Sequence, residues 1–273
     1  MRIVFEHWKY IVRNLWFVLP FALMPAIFLS LTVDFTAIRA VAGGFFRGEL
    51  GFGFISLLFA FSLIRFDSVL GAIYSACAFV CLVVFTALLL AFVEKHMRIG
   101  KRTLSGVFSQ LKSHLLAAFG VTLFYTLFYE LWAVVLSAVL YAVSAIPQTA
   151  FACLLFVFVL LLFITVLLYL AAAFYLWLPC MQITGFRAYN ALLYSYRLLV
   201  GVRWRLILSM LISYAALFLV LLAGAFIPEW LAVIIAFVAF IFVYISFCVR
   251  METVYFQTDK LDREDILRSY REL

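Results

Sequence analysis

The chain has 273 residues, of which 69% are hydrophobic and 12% charged, with a net charge of +7. Its mean hydropathy of +1.21 lies far outside the range of soluble domains, in which charged residues make up about a quarter. These values exclude a soluble globular domain, and no stretch interleaves aromatic and basic residues as a nucleic-acid module does, so the positive charge points to topology and to anionic lipid.

Crossing about 30 Å of hydrocarbon as helix takes roughly 20 apolar residues. Six runs meet that length, at residues 15–33, 69–93, 115–146, 149–178, 206–227 and 230–249, and Glu130 is the one charge inside them. They are apolar on every face, whereas β-barrel strands alternate in polarity. The expected fold is all-α, a polytopic membrane bundle of six transmembrane helices.

The first run follows RIVFEHWKYIVRNL, in which Val4, Trp8, Ile11 and Leu15 share a lipid-facing side. Its apolar region is longer than that of a signal peptide and lacks a small-residue cleavage site, so it reads as an uncleaved first span. Pro20 and Pro25 are expected to kink it.

Residues 34–68 then make a long outer segment with Gly43, Gly44, Gly48, Gly51 and Gly53 and many phenylalanines. Loops of that length are usually functional or flexible. The segment reads either as a lid over the outer mouth or as an insertion resting on lipid. Within it FGFISLLFAFSLI, at 52–64, is too short to span and fits a re-entrant or interfacial helix.

Charge bias supports that choice. With six spans and a cytoplasmic N-terminus, seventeen of the twenty basic residues fall inside, and only Arg39, Arg47 and Arg65 fall outside, beside three acids. Counting 52–64 as a span would reverse the three downstream basic segments, against the positive-inside rule.

The third run carries Thr122, Thr126, Glu130, Ser137 and Ser144 at intervals of four and seven, on one helical face with Tyr141. An intramembrane carboxylate is a functional candidate by default. Glu130 reads as a proton or cation site on a transport route, or as a group bonded to a tyrosine or serine of a neighbouring helix or paired with Arg65.

The stretch GFRAYNALLYSYRLLVGVRWRLIL places Arg187, Arg197, Arg203 and Arg205 between the fourth and fifth runs. Tyr189, Leu192, Leu193, Tyr196 and Val200 follow helical spacing, with Arg187, Asn190, Tyr194 and Arg197 on the other side, as in an interfacial amphipathic helix. GKRTLSGVFSQLKSHL, 85 residues earlier, repeats the pattern, with Arg102 matching Arg187 and Lys112 matching Arg197. The chain therefore divides into a single transmembrane domain, 1–250, of three units (1–95, 96–182 and 183–250), each a cytoplasmic interfacial helix followed by a hairpin of spans. A short cytoplasmic tail, 251–273, follows; it reads either as a docking helix whose narrow apolar side is Leu261, Ile266, Leu267 and Tyr270 or as a charged solvated tail. Arg102, Lys112, Arg187, Arg197, Arg203 and Arg205 read as snorkelling anchors or as a lipid-headgroup site.

No catalytic motif is present: G-x-S-x-G, H-E-x-x-H, C-x-x-C and G-x-G-x-x-G are all missing, and GKRT at Gly100 lacks the rest of a P-loop. Cys77, Cys81, Cys153, Cys180 and Cys248 lie in or beside spans and read as packing residues, and His7, His96 and His114 as solvated interfacial groups. No cofactor and no metal site are expected.

With GFRAYNALLYSYRLLVGVRWRLIL and GKRTLSGVFSQLKSHLLAAF in place, the sequence resembles a diffuse group of six-span bacterial membrane proteins, which includes the membrane domain attached to some glycerophosphodiester phosphodiesterases and many stand-alone proteins of unknown function. The resemblance implies a cytoplasmic-membrane address and a link to lipid or envelope upkeep. The phosphodiesterase domain has no counterpart here, so no catalytic residue carries over. The functional expectation is a non-enzymatic membrane protein whose basic helices contact anionic membrane lipids, a membrane-protein partner or a second copy. The alternative is a transporter or channel for an ion, proton or small amphiphile that uses Glu130.

Overall fold

The computed structural model describes residues 2–100 and 107–259. Among the described residues there are ten α-helices and no strand: α1 (Arg2–Thr32), α2 (Phe35–Arg47), α3 (Phe54–Phe61), α4 (Val69–Ile99), α5 (Val107–Ser144), α6 (Thr149–Phe174), α7 (Trp177–Thr184), α8 (Ala188–Leu199), α9 (Arg203–Gly224) and α10 (Glu229–Thr258). Six stretches are long and apolar enough to cross a membrane: His7–Thr32, Val69–Arg98, His114–Ser144, Thr149–Thr184, Arg203–Gly224 and Glu229–Thr258. Six passes return α10 to the end where α1 begins, here the terminal end; the opposite end is the distal one.

The most apolar windows of α4 and α10 are 56% and 50% buried, against 22% for α5, for α9 and for the span formed by α6 and α7. α4 and α10 are therefore central, with α1 packed against both. Ala22 and Ala26 of α1 and Ala232 and Ala236 of α10 are buried at one-turn spacing, small side chains of the kind that let membrane helices approach closely. The dihedrals of α1 leave the helical region at Asn14 (φ −121°, ψ 16°) and not at Pro20 or Pro25, the expected kink sites. There the Asn14 Nδ2 donates to the Tyr10 carbonyl at 3.0 Å, the acceptor that the residue's backbone N–H addresses in a regular helix.

The outer segment is mostly helical. Asp34 caps α2, its Oδ1 accepting from the Thr36 N–H at 3.0 Å and the Ala37 N–H at 2.9 Å, and Gly48 ends α2 with φ +73°, a value that glycine adopts freely. Val41, Leu50, Phe52 and Leu57 of this segment form a second core with Leu136, Leu140 and Val143 of α5 and Ala152, Phe156 and Val159 of α6. Arg39 ties α2 to the α9–α10 turn, donating to the carbonyls of Ala225 and Ile227. The residues expected to form one helix at 52–64 form α3 over eight of them, with Ser62 as its C-cap.

Two boundaries differ from the sequence reading. α5 is continuous from Val107, with no break near residue 115 between an interfacial helix and a span. α10 continues past Arg250 to Thr258, with Met251, Val254 and Tyr255 buried, so any tail starts beyond Thr258 rather than at 251. Both helices persist because apolar residues keep helical spacing through the polar positions. Residues 261–270, read as a docking helix or a solvated tail, lie outside the described residues, as does Arg102.

Candidate functional site

The basic stretch is built on α7, α8 and α9. Gly185, at φ +69°, ends α7, and Arg187 is the extended residue before α8. The Trp177 Nε1 donates to the Ala188 carbonyl at 2.9 Å, which holds the two helices at a fixed angle. α8 has three sectors. Ala191, Ser195 and Leu199 are buried against the bundle; Tyr189, Leu193, Tyr196 and Val200 are exposed apolar residues; Arg187, Asn190 and Arg197 are exposed polar ones. Tyr194, expected on the polar side, turns inward and donates to Asp259 Oδ1 at 3.0 Å.

Arg203, at the start of α9, is half-buried. Its guanidinium carbon stands 4.5 Å from the centroid of the Tyr196 ring and 5.5 Å from that of Tyr169, and its Nη1 donates to the Tyr169 hydroxyl at 3.2 Å. It fastens α8 to α6 through cation–π contact and one hydrogen bond. Arg187, Arg197, Trp204 and Arg205 are exposed. Lys112, on the first turns of α5, is exposed as well.

Glu130 is half-buried on α5 and faces the turn after α3. Its Oε2 accepts from the Ser62 hydroxyl at 2.7 Å, and its Oε1 from the backbone N–H of Leu63 at 2.8 Å and of Ile64 at 3.0 Å. The adjacent Tyr129 hydroxyl donates to the Phe61 carbonyl at 2.8 Å, at the last residue of α3. Tyr129 thus satisfies a carbonyl that the helix end leaves open, and Glu130 satisfies the N–H groups of the turn beyond it. Arg65, considered as a partner of Glu130, is engaged by Asp67 at 2.8 Å. That hydrogen bond raises the Arg65 pKa and lowers that of Asp67.

The other polar residues of α5 do not continue from Glu130 as a chain. Thr126 donates to the Thr122 carbonyl at 2.9 Å and Ser144 to that of Tyr141 at 2.7 Å, both within α5. Ser137 is buried with its hydroxyl unpartnered, and Tyr141 is half exposed.

The largest concentration of buried polar groups lies at the terminal end of α10, which the sequence reading treated as the start of a tail. Arg250 is 1% exposed and Glu252 0%, and neither oxygen of Glu252 has a hydrogen-bond partner. Glu94 is buried on α4, 3.3 Å from Arg98. His7, expected to be solvated, is buried, its Nε2 3.3 Å from the Ser246 hydroxyl; His96 Nδ1 lies 2.7 Å from the Tyr10 hydroxyl. The signal for this region was present in RMETVYF, whose Met251, Val254 and Tyr255 extend the apolar spacing of the span beyond its first charge.

Compared with models of known protein families, with curated proteins and with solved structures, the chain has no match. Among the described residues no three His, Cys, Asp or Glu side chains converge as a metal set, and the five cysteines are unpaired.

Proposed function

We propose that this is a non-enzymatic multi-pass protein of a bacterial cytoplasmic membrane, with both termini inside, whose basic face on α8 and α9 contacts anionic lipid headgroups. The observation that carries the reading is the three-sector arrangement of α8. One side is bound to the bundle, a second offers Tyr189, Leu193, Tyr196 and Val200 to the acyl boundary, and the third presents Arg187 and Arg197 at headgroup level, with exposed Trp204 and Arg205 following at the start of α9. Aromatic and basic residues at one level are the composition of a membrane interface, and guanidinium groups suit phosphate. The kink at Asn14 and the separate helix α8 support an interfacial segment ahead of the first and third units; in the second, that segment is continuous with α5.

Transport through Glu130 has less support, because both of its carboxylate oxygens are occupied in holding the turn after α3. The resemblance that the two basic stretches carry, to a diffuse group of six-span membrane proteins, implies a link to lipid or envelope upkeep and motivates the same choice of ligand. The test is the lipid retained through detergent purification, measured by mass spectrometry. Joint replacement of Arg187, Arg197 and Arg205 by Gln should lower retained phosphatidylglycerol several-fold, whereas joint replacement of Lys9, Arg13 and Arg47 should not. Equal loss from both variants would reject the reading.

A further inference from the structure

Arg250 is a guanidinium sealed inside protein. Its Nη2 donates to the Ser213 hydroxyl at 2.5 Å and to the Ser246 hydroxyl at 2.7 Å, and its Nε has no partner. Ser213 in turn donates to the Ser209 carbonyl at 3.1 Å, and Ser246 lies 3.3 Å from His7 Nε2. The Tyr175 hydroxyl is within hydrogen-bonding reach of Arg250, and Tyr214 is within its electrostatic reach. Among the described residues no carboxylate forms an ion pair with it. Glu252, two residues on, falls on the opposite face of α10, and the charges that act on it are those of Glu94 and Arg98.

An arginine in a protein keeps its charge, and a buried ion without a counter-charge costs several kcal/mol. Hydroxyl lone pairs satisfy two of the N–H bonds but bring no net charge. A second idle donor lies on the helix that carries Ser213: Ser209 is 2% exposed, its hydroxyl is unpartnered, and it precedes Ser213 by one turn on the same face of α9. Arg250 is therefore a buried charge with no ion-pair partner among the described residues, and two donors, its Nε–H and the Ser209 hydroxyl, are unused.

We propose that Arg250 binds one small monovalent anion of chloride size inside the terminal end of the bundle, with its Nε–H and the Ser209 hydroxyl as donors. Size and charge follow from the geometry. Each two-pronged edge of a guanidinium includes Nη2, and both Nη2 hydrogens are already taken by serines, so the paired oxygens of a phosphate or carboxylate find no fork to grip. A single N–H beside a hydroxyl suits a spherical anion, and one negative charge balances Arg250. The site is interior and independent of the exposed face of α8.

The test is thermal unfolding of the full-length protein in detergent, titrated from gluconate into chloride at constant ionic strength. Wild type should show a saturable rise in Tm, reproduced by bromide, and bromide-soaked crystals should show anomalous density beside Arg250 Nε. Ser209→Ala should raise the half-saturating chloride about tenfold, the effect of one lost hydrogen bond to a charged group, and Arg250→Lys should shift the response further or abolish it. The joint Gln variant of Arg187, Arg197 and Arg205 should respond as wild type does, which separates this site from the lipid face. A Tm indifferent to chloride, or an unchanged half-saturation in Ser209→Ala, would overturn the assignment whether or not Arg250→Lys folds.

Discussion

Glu130 accepts the backbone N–H of Leu63 at 2.8 Å, joining the middle of one span to the end of a short helix that lies 67 residues earlier in the chain. With the bonds from Ile64 and Ser62 it acts as the catch that holds the outer segment on α5. Glu130→Gln puts an amide donor against some of these donors and should destabilise the protein by about 1–3 kcal/mol. The checks are a lower Tm and faster labelling of a cysteine placed at Ser68. Lipid retention should be unchanged, whereas unchanged stability would leave the catch without support.

Gly43 and Gly44 are neighbours in α2 with opposite surroundings. A Cβ on Gly44 would stand 2.6 Å from Phe52 and 2.9 Å from the Glu49 carbonyl, while one on Gly43 would meet only Arg47, at 3.7 Å. Gly44→Ala should therefore cost about 1–3 kcal/mol through overpacking, and Gly43→Ala should gain about 0.5–1 kcal/mol from helix propensity. Paired unfolding curves check the difference in sign.

Glu252 is fully buried with both oxygens unpartnered. Replacing such a group by an apolar side chain of similar volume is neutral or stabilising by about 1–4 kcal/mol. Glu252→Met should accordingly keep or raise the Tm, as thermal unfolding in detergent will show. A large loss of stability would mean that the carboxylate has a partner in the folded protein.

The Asp67 carboxyl is held below its ordinary value by the hydrogen bond from Arg65. A folded value below the unfolded one contributes stability that is present above the unfolded pKa and is lost as pH falls through the folded one. The turn before α4 should therefore loosen only below the usual carboxylate range, and Asp67→Asn should remove that acid limb from the pH dependence of labelling at Ser68. Both side chains remain partly exposed, 24% for Arg65 and 28% for Asp67, so solvent screens the pair and the effect is local.

The six spans were legible because hydrocarbon demands long uncharged runs, and these six have almost no interruption. The same rule hid the terminal end of α10. Ending a span at its first charge assumes that the charge meets water, whereas Arg250 and Glu252 are covered by neighbouring helices. α2 was obscured by its glycines, although Asp34, Gly48 and the spacing of Ala37, Val41 and Gly44 carry the signs of a capped helix with one buried side. Glu130 was recognisable as unusual from sequence. Its partners were not, since two of its three donors belong to backbone N–H groups, which every residue but proline carries. On α8 a periodicity argument assigns one apolar face; two exist, and Tyr194 belongs to the inward one.

The most direct test of the lipid-contacting face uses a phosphatidylglycerol analogue with a photoactivatable headgroup, incorporated into vesicles with the full-length protein, followed by mapping of the cross-linked peptides. The account predicts cross-links concentrated over residues 186–205, competed by unmodified phosphatidylglycerol and not by phosphatidylcholine. Cross-links spread evenly along the terminal end, or gathered on α2 and α3 at the distal end, would contradict it.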